Sequence, residues 1–373
     1  MRADEGRERA GVRTEEPVTI LTVAREAGVS KTTASDALRG SGRVSERTRE
    51  AVAQVAERLG YVPNGSARHL RKASTGTIGL HVPEVLTRSS YYMSFVFGVV
   101  EQAARHDYDV TLITSGQRRS RPPRVDGLVL GDPLGGDPVV ESLMATGLPT
   151  VSCERFPGSR QADGVVWSEH ASMLGRLLDH LRESGASRPA LIVAGDESDW
   201  AASVHRGYLE WCAAHGVVPL VRRVSFDASG DEVRAAARAL LDTAGGSGRG
   251  AERSDGRSIG RDAGQGPGEA GAALGRGGDG PLDALVCAPA GAATEVAPLL
   301  REAGVNVLLA SCVDSAATRQ SDPPITAIDL RPKEAGASCA ELLFELLSGA
   351  APLGTERVHP IELSIRASTR PRP

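Results

Sequence analysis

Aromatic side chains are scarce in this 373-residue chain, at 3% of the total, while glycine is abundant, with 43 residues. No run of eighteen apolar residues occurs, which argues against a membrane-spanning helix. Residues 1–16 carry charges of both signs and no apolar stretch, so a secretory signal is not expected and the cytoplasm is the expected compartment. The five cysteines, Cys153, Cys212, Cys287, Cys312 and Cys339, lack paired spacing and mostly lie in or beside apolar runs. They read as buried free thiols ahead of metal ligands or disulfide partners. There is no glycine-rich phosphate loop between strand and helix and no nucleophile elbow, and the histidines show no metal-ligand spacing. No catalytic residue, metal site, cofactor or enzyme activity is therefore expected. Residues 1–16 are expected to be a disordered tail, and the length allows two or three domains at roughly 150 residues each.

What is present begins at residue 17. Thr19 precedes Ile20, Leu21, Val23, Ala24 and Ala27, apolar positions recurring at helical spacing behind a capping hydroxyl, and Gly28 ends the pattern. Ser30 caps a second helix, predicted over 31–38, with Ala34, Ala37 and Leu38 inward and Lys31, Thr32, Thr33, Ser35 and Asp36 outward. Ser45 opens a third, with Val52, Val55, Ala56 and Leu59 on its inner stripe and Gly60 at its end. Three short helices around one small core, the second placed to enter a major groove, make a helix-turn-helix module over 17–63.

Charge agrees with that geometry. Between Pro17 and Lys72 there are ten cations and five acids, a local charge of +5 on a chain whose net charge is −4. A basic module on an acidic chain is the footprint of phosphate contact, driven by counterion release, and duplex DNA is the expected partner. Lys31 has the reach for a guanine edge, and Thr32, Thr33 and Ser35 suit bases or phosphates. Thr19, Ser30, Asp36 and Arg43 complete the candidate DNA-contacting set within the module. Asp36 is repelled by phosphates unless it accepts from a cytosine amine. It is either a specificity element or a solvent-facing residue.

The runs 18–30 (VTILTVAREAGVS), 43–49 (RVSERTR) and 59–64 (LGYVPN) resemble the headpiece of the LacI/GalR family of bacterial transcription regulators. The resemblance implies that 64–73 is a hinge helix, with Asn64, Ala67 and Arg68 at the DNA and Leu70 as a wedge inserted into the minor groove. It also implies a homodimer on a palindromic operator, because paired hinges require two-fold symmetry. The chain stops after its last family-like motif without a heptad extension, so no tetramer is expected.

Beyond residue 74, short apolar runs alternate with helical patterns. Strands are predicted at 78–82, 110–113, 127–130, 150–153 and 164–166, with helices at 95–106, 139–146 and 172–184 between them. A second set of strands falls at 190–193, 218–224, 285–287 and 305–310. This alternation gives parallel sheets covered on both faces, in two lobes with a cleft at the carboxyl ends of the strands. The runs 77–80 (TIGL), 125–130 (VDGLVL), 148–151 (LPTV), 323–328 (PPITAI) and 365–369 (IRAST) are similar to those of the family's periplasmic-binding-protein-like effector domain. The expected whole is an all-α headpiece followed by an α/β two-lobed effector and dimerisation domain over 74–373.

The effector positions depart from the family pattern. An Arg three residues before Gly207 is replaced by Val204, an Asn-Asp pair by Pro289-Ala290, and one of two consecutive acids is lost at Val313-Asp314. Unpaired sugar hydroxyls in a buried site cost on the order of 1–3 kcal/mol each, so an ordinary sugar effector is not expected. Near the inferred cleft stand Tyr91, Tyr92, Trp167, Trp200 and Phe226, with Arg88 and Asp314 as charged candidates; these aromatics suit planar or apolar ligands or fill an interlobe core. His205 and Arg206, close to the lost Arg, read as surface residues unless the alignment shifts by one or two positions. Residues 245–280 are dominated by Gly, Ser, Arg, Asp and Ala, a composition expected to form a disordered insertion in the second lobe.

Two functions follow. One is a transcriptional regulator, a repressor by resemblance, whose small-molecule effector alters operator binding. The other is a DNA-binding dimer whose second domain is an effector-independent scaffold.

Overall fold

The computed structural model describes residues 18–61, 74–83, 90–115, 121–195, 197–245 and 281–370. The 1–16 tail, the hinge with Asn64, Ala67, Arg68 and Leu70, Arg88 and the insertion from 246 onward lie outside the described residues. The chain divides into two compact units, Met1–Ala73 and Ser74–Pro373.

In the first unit, α1 spans Ile20–Glu26, α2 Lys31–Arg39 and α3 Glu46–Arg58. Each starts on a hydroxyl. The side chains of Thr19, Ser30 and Ser45 accept from the backbone N–H groups of Thr22, Thr33 and Thr48, satisfying donors that the first helical turn leaves without partners. Gly28, Gly40 and Gly60 take left-handed conformations where the three helices end. Val23, Ala24, Ala34, Ala37, Val52 and Ala56 form the core, with Leu38, Val55 and Leu59 partly buried around it.

Among the described residues, the second unit holds twelve strands in two sheets. The first sheet contains β1 (Thr77–His81), β2 (Asp109–Ile113), β3 (Gly127–Gly131), β4 (Thr150–Cys153), β5 (Gly164–Trp167) and β11 (Thr355–Val358). Its order is β11-β5-β4-β3-β1-β2, parallel throughout. The second contains β6 (Pro189–Ala194), β7 (Val221–Val224), β8 (Ala284–Cys287), β9 (Leu308–Ser311), β10 (Thr326–Asp329) and β12 (Glu362–Ser364), in the order β12-β10-β9-β8-β6-β7. Its strands are parallel except for the antiparallel edge strand β12. The central strands β3, β4, β6 and β8 are buried along their whole lengths. That explains why they read as unbroken apolar runs: helices cover both faces.

One assignment differs from the sequence expectation, and one pair of elements was not anticipated. The helix predicted at 172–184 spans His170–Glu183 and belongs to the second lobe, where Met173, Leu174, Leu177, Leu178 and Leu181 pack with Leu191, Tyr208 and Val286. Conversely, the helix Pro332–Ser348 and strand β11 return to the first lobe, and Leu342 and Leu343 join Ile78, Val129 and Val151 in its core. The return helix crosses the helix Ser90–Arg105 at a glycine pair. A Cβ on Gly98 would lie 1.9 Å from the carbonyl oxygen of Lys333, and one on Gly336 would lie 2.2 Å from that of Phe95.

Among the described residues the chain thus passes between lobes three times, near Ser168, Arg331 and His359. The third crossing is tied to the other two: the His359 backbone N–H donates to Trp167 O at 2.7 Å, and its Nε2 lies 3.2 Å from Leu330 O. Among the described residues no helix is long and apolar enough to cross a membrane.

Candidate functional site

On the headpiece, Lys31 and Thr32 are exposed at the start of α2, and Ser35 and Asp36 follow one turn later, half-buried. Thr33 serves the helix start itself: its backbone N–H donates to Ser30 Oγ at 3.0 Å, and the two hydroxyls lie 2.8 Å apart. Asp36 is engaged within its own helix. Arg39 Nη2 donates to Asp36 Oδ1 at 2.8 Å and Arg39 Nε to Ser35 O at 3.0 Å. The carboxylate therefore carries its own counter-charge, which reduces the repulsion it would exert on a phosphate backbone. Thr19 and Arg43 are exposed, Thr19 as the α1 cap and Arg43 in the turn before α3.

In the second unit a cavity of about 430 Å³ opens between the lobes. The chain places side chains there just past strand ends: Asp132 after β3, Glu154 after β4, Phe226 after β7, Pro289 and Ala290 after β8, and Val313 after β9. This is where ligands bind in open α/β sheets. Asp132 and Glu154 both take left-handed backbone conformations, with φ of 47° and 66°. Such conformations are uncommon outside glycine and persist where surrounding structure enforces them. Here the Asp132 N–H donates to Cys153 O and the Glu154 N–H to Val166 O, fixing both turns.

The site's electrostatics follow from burial. Glu154 Oε1 lies 2.9 Å from His170 Nε2, with both side chains about 95% buried. Burial disfavours the imidazolium, but the adjacent Glu154 carboxylate outweighs it and raises the His170 pKa. Tyr92 donates its hydroxyl to Asp132 Oδ2 at 3.0 Å. Burial, reinforced by repulsion from Glu154, pushes the Asp132 carboxyl up to about 7 against the bond from Tyr92. Two buried polar atoms at the cavity have no hydrogen-bond partner: Asp132 Oδ1 and Trp200 Nε1.

Comparison with known proteins starts from the headpiece. The family model for bacterial regulatory proteins of the lacI family matches residues 19–64. The model for periplasmic binding proteins and the sugar-binding domain of the LacI family matches 75–243, and that for a periplasmic binding protein-like domain matches 178–369, just over half of the chain. The HTH-type transcriptional regulator CelR of Thermobifida fusca is 34% identical over 242 residues, covering 61% of this chain and 70% of CelR. The chain belongs to the LacI family. RafR of Escherichia coli, a transcriptional regulator, is 30% identical over 219 residues, 56% of this chain and 65% of its own length. The chain thus spans just under two-thirds of RafR. The Lac repressor dimer bound to operator and an anti-inducer shares the fold, with a TM-score of 0.70 at 20% identity over 95% of this chain and the whole of that one. The relatives are regulators rather than enzymes, in line with the absence of a catalytic constellation in the sequence.

Within this LacI-family cleft, Tyr91, Tyr92, Trp200 and Phe226 line the cavity. Tyr91 and Phe226 also pack against the cores of both lobes, so the lining and core-filling readings hold together. Two expected ligand residues are corrected. Trp167 packs on the outer core of the first lobe, with the Arg155 guanidinium 3.9 Å from its ring centre. Asp314, whose side chain is 2% exposed, is claimed by Arg366 and Arg319. His205 Nδ1 lies 3.0 Å from Arg223 Nη2, and Arg206 bonds Ser203 on its own helix. Neither lines the cavity. Val204, in place of the expected Arg, is buried in the second lobe's core. Sequence reasoning missed Asp132 and Glu154. Their signal was present, a single acid directly following an apolar strand.

Proposed function

We propose that this chain is a DNA-binding transcriptional repressor that acts in the cytoplasm as a homodimer on a palindromic operator. A small molecule other than an ordinary sugar, bound between the lobes, changes operator affinity. The observation that carries this reading is the conjunction, in one LacI-family chain, of a capped basic α2 with an interlobe cavity holding unpartnered buried polar atoms. An effector-independent scaffold has no use for such atoms, because each costs desolvation energy until a ligand pairs it.

Support for the dimer comes from the helix Ser90–Arg105. Met93, Phe97 and Val100, spaced by four and three, are 42%, 55% and 40% exposed, and Leu112 on the neighbouring edge strand β2 is 41% exposed. This apolar stripe fits a second copy of the same face, as two-fold pairing requires. The effector acts by binding one degree of lobe closure better than another, and its leverage is limited to that difference in affinity.

Selection of genomic fragments with the purified protein, followed by titration against candidate metabolites, tests the reading. A palindrome whose binding responds to a metabolite is expected. A palindrome bound equally in all cases would indicate an effector-independent scaffold, and no palindrome would overturn the DNA-binding reading.

A further inference from the structure

The described residues lining the interlobe cavity include four acids, Asp132, Glu154, Asp227 and Glu295, and no lysine, arginine, histidine, asparagine or glutamine. Two acids already have cations: Glu154 has His170, and Glu295 has Arg234. Asp132 makes no ion pair among the described residues; the nearby His170 and the Ser198 hydroxyl favour its charged form, and its Oδ1, in a side chain more than nine-tenths buried, has no hydrogen-bond partner. Trp200, 9% exposed, lines the same cavity, and its Nε1 donates no hydrogen bond. The cavity therefore presents one unsatisfied acceptor with anionic character, one unsatisfied neutral donor, and four aromatic rings.

We propose that the cleft binds an organic cation: a protonated primary or secondary amine that donates to Asp132 Oδ1, lies among Tyr91, Tyr92, Trp200 and Phe226, and offers an oxygen acceptor to Trp200 Nε1. This rests on the reading of the cleft as the effector site. An ammonium is attracted to aromatic faces and forms a charge-assisted bond to a carboxylate. It also supplies a counter-charge in direct contact, where Asp132 otherwise has only His170 nearby. Burial and Glu154 currently push that carboxyl toward neutrality, and a bound cation reverses the push. An anionic effector meets four carboxylates. A polyol brings as many acceptors as donors into a lining whose described side-chain donors are few hydroxyls and one indole.

The test uses full-length protein and three probes of one shape: 2-amino-1-phenylethanol, 1-phenyl-1,2-ethanediol and mandelate, which differ in carrying an ammonium, a hydroxyl or a carboxylate. Calorimetric titration at pH 7 is expected to rank the amine at least about tenfold tighter than the diol, with mandelate weakest. Asp132→Asn should erase the amine's advantage while leaving the diol unchanged, and Trp200→Phe should weaken amine and diol alike. Should a variant fail to fold, the wild-type ranking alone decides. Equal or reversed ranking, or no amine binding at millimolar concentration, overturns the proposal. Genomic-fragment selection on the same preparation separates the two readings. A recovered operator with reversed ranking sinks only the cation, and preferential amine binding without an operator sinks only the regulator.

Discussion

Replacing Asp314 by asparagine distinguishes a structural brace from a ligand contact. Arg366 Nη1 and Nη2 each donate to the carboxylate at 2.8 Å, Arg319 Nε donates at 2.9 Å and the Thr318 hydroxyl at 2.6 Å. Burial alone would raise the carboxyl; the bonds from Arg366, Thr318 and Arg319 overturn that and bring it from 3.8 to about 2. A carboxyl depressed in the folded state contributes stability that is complete above its unfolded value and is lost as pH falls toward the folded one. At 1.36 kcal/mol per unit, the contribution is at most roughly 2 kcal/mol, reduced by screening around Arg319, which is more than half exposed. Asparagine also leaves Arg366, 17% exposed, without its counter-charge, and removing one partner of a buried pair costs about 3–5 kcal/mol. Partial exposure of the arginines sets the expectation at the lower end, about 3 kcal/mol at pH 7. Urea unfolding followed by circular dichroism should show the gap between wild type and Asp314→Asn narrowing by about 1 kcal/mol at pH 3. An equal gap at both pH values would refute the electrostatic account. Loss of amine binding without loss of stability would return Asp314 to the cleft.

Gly98→Ala forces a methyl against the Lys333 carbonyl; it should cost about 1–3 kcal/mol by urea midpoint, and an unchanged midpoint would disprove the close crossing. Ser30→Ala removes the α2 cap and should lower headpiece stability by about 1 kcal/mol, read as a shift of its thermal melt. Arg43→Ala should reduce the slope of log affinity against log salt by about 1 if that side chain neutralises a phosphate, and an intact slope would remove it from the interface. Phe97→Glu places a charge in the exposed apolar stripe and should shift sedimentation to that of a monomer; a persistent dimer would locate the interface elsewhere.

The parts legible in the sequence are those whose cause is local. Ser30 accepts from Thr33 three residues on, so the α2 start reads directly from the chain, as do the buried strands, whose apolar runs need no partner to be seen. Assignments that depend on distant partners were not legible. Asp314 looked like a ligand residue because it follows a strand end, but Arg366, 52 positions away, claims it. The His170–Glu183 helix has an apolar stripe that would suit either lobe; its neighbours Leu191 and Tyr208 place it in the second. Asp132 and Glu154 gave a local signal, one acid at a carboxyl strand end, but their left-handed backbone depends on bonds to Cys153 and Val166 in neighbouring strands, which the local sequence does not reveal.

The return of the Pro332–Ser348 helix and β11 to the first lobe has a consequence for synthesis. As the chain leaves the ribosome from its N-terminus, the first lobe's core lacks Leu342 and Leu343 until residue 343 has emerged and its sheet lacks β11 until residue 358 has. By then β6 to β10 of the second lobe have already been made. The lobe encoded first is therefore completed late, and a chain truncated near Leu330 would leave its apolar face, around Val129 and Val151, open to water.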